Sequence, residues 1–373
     1  MDTKLFNRKQ GTGMFAITGK DPTTGTIFWV DSTNSLATDA TGYGVNPDYP
    51  FATIDYAVGK CTANKGDIIY VMPNHAETVS GAGGIALDIA GIKLIGMGEG
   101  DDMPTITFSA TTSTLTVSAS NITVKNFICL ATAAIVTTVI VTGEYATLKN
   151  LLFIGDAADE THKIPIITTA AANDLTIDAV NVQLLVAEDG TTAITTTSTE
   201  AIRLVGTDRA TVQNCYLSGD FTTSAINGIT TASKDIIVNH NRVNNVATEN
   251  ITGGIDLVTA CTGYVDDNRV YVAYATGNTA LIDAASCVLG LNWVSNVVSE
   301  QPVLHGTVEA GGAEGKVDSV GLLVSTVDKE IAVIDGEIST IDQEVSLLHS
   351  KANSWYVLQT SMFSTLDSKI DSV

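Results

Sequence analysis

A set of side chains that could act as acid, base or nucleophile lies between residues 220 and 267. Its members are Asp220, Glu249, Asp256, Asp266 and Asp267, with His240 and Arg242 nearby. Hydrolysis of a glycosidic bond needs two carboxyl groups that face each other across a sugar. Asp266 and Asp267 are adjacent, so in a strand they point to opposite faces and only a turn brings them together. No convergent pair is evident, and we expect these acids to be turn and surface residues.

Residues that often hold a metal ion or a phosphate lack the required spacing. The histidines are scattered without the spacing of metal ligands: His75, His162, His240, His305 and His349. The "GAGG" at 81–84 lacks the Lys-Ser/Thr of a phosphate-binding loop and indicates a turn. The cysteines form no CxxC pair and mostly lie in apolar runs, so we expect them to be reduced and buried: Cys61, Cys129, Cys215, Cys261 and Cys287. The sequence therefore predicts no metal, no cofactor and no catalytic residue.

The net charge limits the classes of partner. The formal charge is −22, from 41 acidic and 19 basic residues. A chain with this charge repels phosphate backbones and anionic lipid, so we expect neither nucleic acid nor a membrane as partner. The first ten residues lack the apolar segment of a signal peptide, and no later stretch reaches about 18 uninterrupted apolar residues. We expect a protein that is made and folded in a cytoplasm.

The elements that must position these residues follow an internal repeat. Apolar anchor residues recur in steps of 30, 24, 29, 35, 26, 27 and 24 residues: Leu94, Val124, Leu148, Ile177, Val212, Val238, Val265 and Leu289. Each unit holds short runs rich in Val, Ile and Thr, bounded by Gly, Asn, Asp or Ser, and no helical pattern long enough for a βαβ crossover. Such a chain is predicted to coil into a parallel β-helix of about nine rungs, spaced about 4.8 Å apart, between residues 68 and 304.

Asparagines recur with the same period. They are Asn126, Asn150, Asn214, Asn241, Asn268 and Asn292. Asparagine tolerates the left-handed backbone conformation of a tight turn, and stacked amides can hydrogen-bond along a stack. We expect these residues to have a structural role, as ladders of inward residues along the β-helix.

Residues 25–79 carry the most specific motifs of the chain. They contain an aromatic-Val-Asp strand (Trp29, Val30, Asp31), a Gly-rich loop, the helix-like "PFATIDYAV" and the strand-like "GDIIYVMPN". This segment resembles the start of pectin-lyase-like right-handed β-helices found in bacteriophage virion proteins, and the resemblance extends over roughly residues 25–305. It implies an all-β, right-handed parallel β-helix in which "PFATIDYAV" forms a capping helix. Because this fold carries lyases, hydrolases and inert shafts alike, the resemblance favours no single activity.

A heptad repeat follows the β-strand region. Its core positions are Val317, Val320, Val324, Val327, Ile331, Ile334, Ile338, Ile341, Val345 and Leu348. β-Branched residues at both core positions of a parallel coiled coil favour three or four chains over two. The β-helix shafts of the phage family are trimers, so both arguments predict a homotrimeric coiled coil. A helix buried within a monomer is the alternative.

The heptad phase changes near residues 349–355. "STIDQEV" at 339 and "STLDSKI" at 364 are 25 residues apart, which is three heptads plus four. An insertion of four residues is a stutter, which locally unwinds a supercoil. After it, the core is taken over by Tyr356, Phe363, Leu366, Ile370 and Val373. A helix break or a helical hairpin at 349–355 is the competing interpretation.

Three segments and a function follow from these patterns. Residues 1–24 are predicted to be an extended arm, residues 25–305 a β-helix with an N-terminal cap, and residues 306–373 a linker and trimerisation stalk. The arm is basic at Lys4, Arg8 and Lys9, which suggests docking on an acidic virion surface such as the major capsid protein; a solvated terminus is the alternative.

The function predicted from these segments is structural. We expect a homotrimeric protein of the virion that decorates the capsid surface or forms a head fibre, and that stabilises the particle or presents an adhesive surface. The alternative is a tailspike that binds or cleaves host surface polysaccharide, with a host glycan as its partner. A secreted bacterial adhesin is disfavoured because no signal peptide is recognised.

The stalk leads to a prediction about salt. Acids flank the heptad core, at the e positions Asp328, Asp335 and Asp342 and the g positions Glu330, Glu337 and Glu344. Neighbouring chains of a parallel trimer would present like charges here, which destabilise the assembly. We expect the melting temperature of the helix, followed by far-UV circular dichroism, to rise as sodium or magnesium is added up to about 0.5 M. A flat or falling melting temperature would contradict the parallel heptad assignment.

Overall fold

The computed structural model describes residues 4–10, 13–18, 23–228, 230–247, 253–258, 260–273, 281–296, 303–305, 341 and 343–366. The chain divides into two compact units, Met1–Ala313 and Glu314–Val373.

The first unit is an all-β parallel solenoid with three sheets. Sheet 1 contains Ile27–Val30, Ile68–Val71, Lys93–Gly96, the first halves of Thr123–Ala131 and Thr147–Gly155, Thr176–Asp178, Thr211–Gln213, Ile236–Asn239, Gly263–Asp266 and Val288–Leu289. Sheet 2 contains Ala76–Val79, Thr105–Phe108, the second halves of the same two long strands, Asn181–Leu184, Tyr216–Gly219, Arg242–Asn245, Arg269–Val272, Asn292–Asn296 and the antiparallel Val303–His305. Sheet 3 is eight-stranded, with Ile85–Leu87, Leu115–Val117, Val139–Val141, Ile166–Thr168, Ser198–Arg203, Phe221–Gly228, Gly253–Leu257 and Ile282–Asp283.

Every predicted anchor lies in sheet 1, directly opposite the next anchor on the neighbouring strand. Leu94 pairs with Val124, Val124 with Leu148, and the series continues in register to Leu289. All of these side chains are buried in one continuous apolar core. Alternation along each strand places their neighbours on the outer face. The predicted parallel β-helix is thereby confirmed.

The N-terminal end of the solenoid is covered as the motifs predicted. Ile27–Val30 pairs in parallel with Ile68–Val71, and a short helix, Ile54–Val58, buries Ile54, Ala57 and Val58 in the core. The Glu77 carboxylate accepts a hydrogen bond of 2.8 Å from the Ile54 N–H at the start of this helix. The described part of this unit also contains a 3₁₀ turn, Gly100–Asp102, and a two-strand side pairing of Ala134–Ile135 with Thr161–His162.

The recurring asparagines form two rows, and only one of them points inward, which corrects the prediction that all of these asparagines are inward residues. Asn126, Asn150 and Asn214 occupy the left-handed turn between sheets 1 and 2, with φ of 69°, 50° and 56°. In register, the next occupants of that turn are His240 and Asp267, with φ of 55° and 49°. The remaining asparagines, Asn241, Asn268 and Asn292, lie one residue further on and point inward. The step from Asn214 to Asn241 therefore crosses from one row to the other.

The inner row is a buried amide ladder. The Asn241 Nδ2 donates to Asn268 Oδ1 at 3.0 Å, and the Asn268 Nδ2 donates to Asn292 Oδ1 at 2.9 Å. Each Oδ1 also accepts a backbone N–H from the rung before it, from Cys215, Asn241 and Asn268 in turn. The ladder thus satisfies backbone donors that the turn leaves without a strand partner.

The segment predicted to be an arm contains an antiparallel hairpin, Lys4–Gln10 with Gly13–Thr18. Lys4, Arg8 and Lys9 all lie on its first strand. Their role in attachment stays a prediction.

The second unit contains an uninterrupted helix over residues 343–366. The helix passes through 349–355 without a break, so the alternative of a break or hairpin is wrong, and the change of heptad phase lies within a continuous helix. Ile341, Val345 and Leu348 are 57%, 57% and 64% exposed. The earlier core positions, Val317 to Ile338, lie outside the described residues. None of the described helices is both long and apolar enough to cross a bilayer.

The amide ladder leads to a prediction about stability. Asn268→Ala removes the side-chain acceptor of the Asn241 backbone N–H, one of the two acceptors of Asn241 Nδ2, and the amide donor to the Val238 carbonyl. We therefore expect the free energy of unfolding to fall by about 3 kcal/mol. The matched control is Asn150→Ala, whose amide is exposed and whose turn position is occupied by Ala179 one rung later. Urea denaturation followed by circular dichroism measures both variants. Equal destabilisation of the two variants would show that an amide of the buried ladder contributes no more to stability than the exposed amide of Asn150.

Candidate functional sites on the solenoid surface

The carboxylates singled out in the sequence are distributed over separate parts of the solenoid. Asp220 lies in the turn between Tyr216–Gly219 and Phe221–Gly228, Asp256 lies on sheet 3, and Asp266 ends a strand of sheet 1. Asp267 occupies the left-handed turn, where its carboxylate lies 3.2 Å from His240 Nε2 on the exposed surface. Glu249 lies outside the described residues. Among the described residues, Asp267 lies beside His240, and no second predicted acid faces it across a cleft.

A row of polar residues that sequence reasoning missed runs along the outer face of sheet 3. Arg203, Asn227, Asp256 and Asp283 are opposite one another on successive strands. The Arg203 guanidinium is held by two hydrogen bonds to the buried Glu200 carboxylate, at 2.5 and 2.8 Å. Asp256 and Asp283 are neighbours on one flat sheet, whereas glycoside hydrolysis needs carboxyl groups on both sides of the sugar. The row does not supply that geometry.

A groove of about 360 Å³ lies on the outer face of sheet 2. One row across it consists of Arg242, Arg269 and Trp293, each directly opposite the next, and Tyr216 continues this row on the neighbouring strand beside the groove. The Arg242 guanidinium lies 5.4 Å from the centre of the Tyr216 ring. Tyr271 and Ser295 border the groove in the adjacent row. We call this feature the arginine groove.

The amide ladder positions the arginine groove. Arg242, Arg269 and Trp293 directly follow Asn241, Asn268 and Asn292, so the buried amides place the next residue of each strand on the outer face. A signal for this groove existed in the sequence, because Asn-Arg-Val occurs at 241–243 and again at 268–270. Sequence reasoning noted Arg242 beside the acids but did not connect it with Arg269.

His162 is a titratable group that is fully buried in the core. Its Nε2 lies 3.0 and 3.1 Å from the carbonyl oxygens of Cys129 and Ile154, and its Nδ1 lies 2.5 Å from Thr138 Oγ1. This pattern fits a neutral ring that donates from Nε2 and accepts at Nδ1. Burial lowers the pKa of His162 to about 4, although the two carbonyl acceptors act in the opposite direction.

The structure also shows where the possible metal ligands and the cysteine thiols lie. Within the described ranges, no group of three or more His, Cys, Asp or Glu residues is arranged to hold a metal ion. The cysteines are free, and all but the half-buried Cys61 are buried. Burial raises the pKa of the Cys129 thiol to about 12, so this thiol is unreactive near neutral pH.

The described geometry defines an all-β parallel β-solenoid protein. No protein-family model matches the chain, and no curated protein matches it. Among solved structures, a rhamnogalacturonan lyase is similar, with a TM-score of 0.33 and 10% sequence identity over 76% of this chain and 90% of that one. This likeness bears on neither substrate nor activity.

The buried histidine leads to a prediction about acid stability. The unfolded chain binds a proton at His162 near pH 6.5, whereas the folded chain resists this until about pH 4. Stability contributed by the neutral ring is therefore full above pH 6.5 and is lost as the pH falls toward 4, by roughly 3 kcal/mol in total.

The matched variant is His162→Gln, which keeps hydrogen-bonding groups but does not titrate. Urea denaturation at pH 7, 6, 5 and 4 is expected to show a shallower loss of stability for this variant than for the wild type. Parallel pH curves would exclude His162 as the cause.

Proposed function

We propose that this protein is a structural component of a bacteriophage virion. It forms a homotrimer that decorates the capsid surface or builds a head fibre, and it stabilises the particle or presents an adhesive surface. It is made in the host cytoplasm and then resides in the virion. Assembly into trimers takes place through the C-terminal helix.

The observation that carries this proposal is the apolar surface of the helix over 343–366. Every residue of this helix is exposed within the single chain, and the exposed fractions of Leu348, Tyr356 and Phe363 are 64%, 69% and 63%. Isolated helices are marginal in water, and most of their stability in proteins comes from packing an apolar face. A contiguous apolar face on a soluble protein marks an interaction surface. The helix needs a partner along its length.

The heptad pattern identifies that partner as further copies of the same chain. Val345 and Leu348 continue a repeat with β-branched residues at both core positions, which favours three or four chains. After the stutter, the repeat continues along the same unbroken helix through Tyr356, Phe363 and Leu366. One continuous apolar stripe along an unbroken helix favours a parallel coiled-coil stalk.

The placement in a virion has two supports. Residues 25–79 resemble the first turns of phage β-helix proteins, and their strand, cap and first rung occur in the structure at the expected places. The hairpin strand Lys4–Gln10 carries Lys4, Arg8 and Lys9 on a chain of net charge −22. This contrast in charge favours docking on an acidic surface such as that of the major capsid protein.

The stalk can be tested with two adjacent leucines. Leu348 is at a core position, whereas Leu347 is equally apolar and 57% exposed but lies on the opposite side of the heptad. We expect Leu348→Glu to reduce the trimer to monomers at micromolar concentration, because three carboxylates would be buried together. Leu347→Glu is the matched control and should remain trimeric. Sedimentation equilibrium of both variants and of the wild type measures the outcome.

Each outcome of this test bears on the proposal. A monomeric wild type, or equal dissociation of both variants, would contradict assembly through this stripe. The virion location is tested separately, by imaging gradient-purified particles with the protein labelled. Label on the capsid surface supports the proposal, and particles that lack the protein contradict it.

A further inference from the structure

We infer that the arginine groove on sheet 2 binds an acidic oligosaccharide. This inference goes beyond the assembly function proposed above and does not depend on it. The groove lies within the solenoid unit, whereas assembly is assigned to the helix of the second unit.

The first argument is the concentration of positive charge. Arg242 and Arg269 are exposed and directly opposite each other on neighbouring strands, so their guanidinium groups repel. Among the described residues, no carboxylate forms a salt bridge with either of them. The chain has a net charge of −22 and therefore contains many acidic residues, yet this arginine pair is not matched with one of the described acids. An anion bound between the two arginines would remove the repulsion, and a carboxylate suits them because guanidinium binds it in a bidentate way.

The second argument is the arrangement of aromatic rings. Tyr216 lies one strand before Arg242, and Trp293 lies one strand after Arg269, so the row reads aromatic, arginine, arginine, aromatic. Trp293 is 45% exposed and Tyr271 beside it is 36% exposed. Flat rings of this kind offer an apolar face with a polar edge. Sugar rings have the complementary form, with C–H groups on their faces and hydroxyl groups on their edges.

The third argument is the size and charge density of the site. From Arg242 to Trp293 the row spans two strand spacings, roughly 10 Å, and Tyr216 lies one spacing further on, which suits a short oligosaccharide better than a single small anion. DNA carries one charge per about 1.7 Å and would meet the strongly acidic remainder of the chain. An acidic peptide would satisfy the arginines but has no ring faces for Trp293 and Tyr271. A glycan with a carboxylate on some of its sugars satisfies both features.

The test is isothermal titration of the full-length protein with three probes. They are a glucuronic acid tetrasaccharide, its fully methyl-esterified form, and tetraglutamate. The ester keeps the rings and removes the charge, whereas the peptide keeps the charge and removes the rings. We expect saturable binding of the acidic tetrasaccharide, weaker by at least about tenfold for the other two probes. Absence of binding, equal binding of the ester, or equal binding of tetraglutamate would each overturn the inference.

Variants locate the binding to the groove. Arg242→Gln with Arg269→Gln should reduce the affinity for the acidic tetrasaccharide by at least about tenfold, and Trp293→Ala should reduce it several-fold. Lys60→Gln with Lys65→Gln removes the same charge from exposed positions in the N-terminal cap and should leave the affinity unchanged. Equal losses in the two double variants would attribute binding to net charge and overturn the inference. Unchanged circular dichroism and sedimentation confirm that each variant is folded and assembled as the wild type is.

Discussion

The register of the inward-facing aliphatic row is the constraint on which the rest of the solenoid depends. A single turn buries little apolar surface and leaves its strand N–H and C=O groups unpaired, so it is stable only when stacked on its neighbours. The row from Leu94 to Leu289 sets how each turn stacks on the one before it. Once that row is in place, alternation along the strands also decides which outward side chains become neighbours. The register of the core therefore fixes which residues stand next to each other in the surface rows.

The turn between sheets 1 and 2 is built in two ways along the same solenoid. In the first rungs, the inward position after the turn is apolar, with Phe127, Leu151, Val180 and Cys215. In the last rungs, the equivalent positions are Asn241, Asn268 and Asn292, which join in the buried amide ladder. Buried amides are favourable only when all their partners are present, so the ladder tolerates little displacement of one rung against the next. The arginine groove is built on these rungs, and its side chains are consequently held at defined spacing.

The two surfaces proposed for interaction differ in their physical basis. The helix over 343–366 has an apolar stripe whose burial is driven by the removal of apolar surface from water. The arginine groove combines positive charge with aromatic rings on an otherwise acidic protein, which selects for anionic ligands and disfavours highly charged polymers.

The sequence by itself determined the class of fold, the anchor residues, the N-terminal strand, the capping helix and the heptad pattern, because each depends on spacing within one strand or one helix. Only the tertiary structure decided which side chains meet across rungs. Residues that are neighbours across rungs lie 24 to 35 residues apart in the sequence. A shift of one residue in that spacing moves a side chain to the opposite face of the sheet. That shift explains why Asn214 and Asn241 looked like members of one ladder. The continuous helix through 349–355 was likewise left open by the sequence, because a change of heptad phase is compatible with both a stutter and a break.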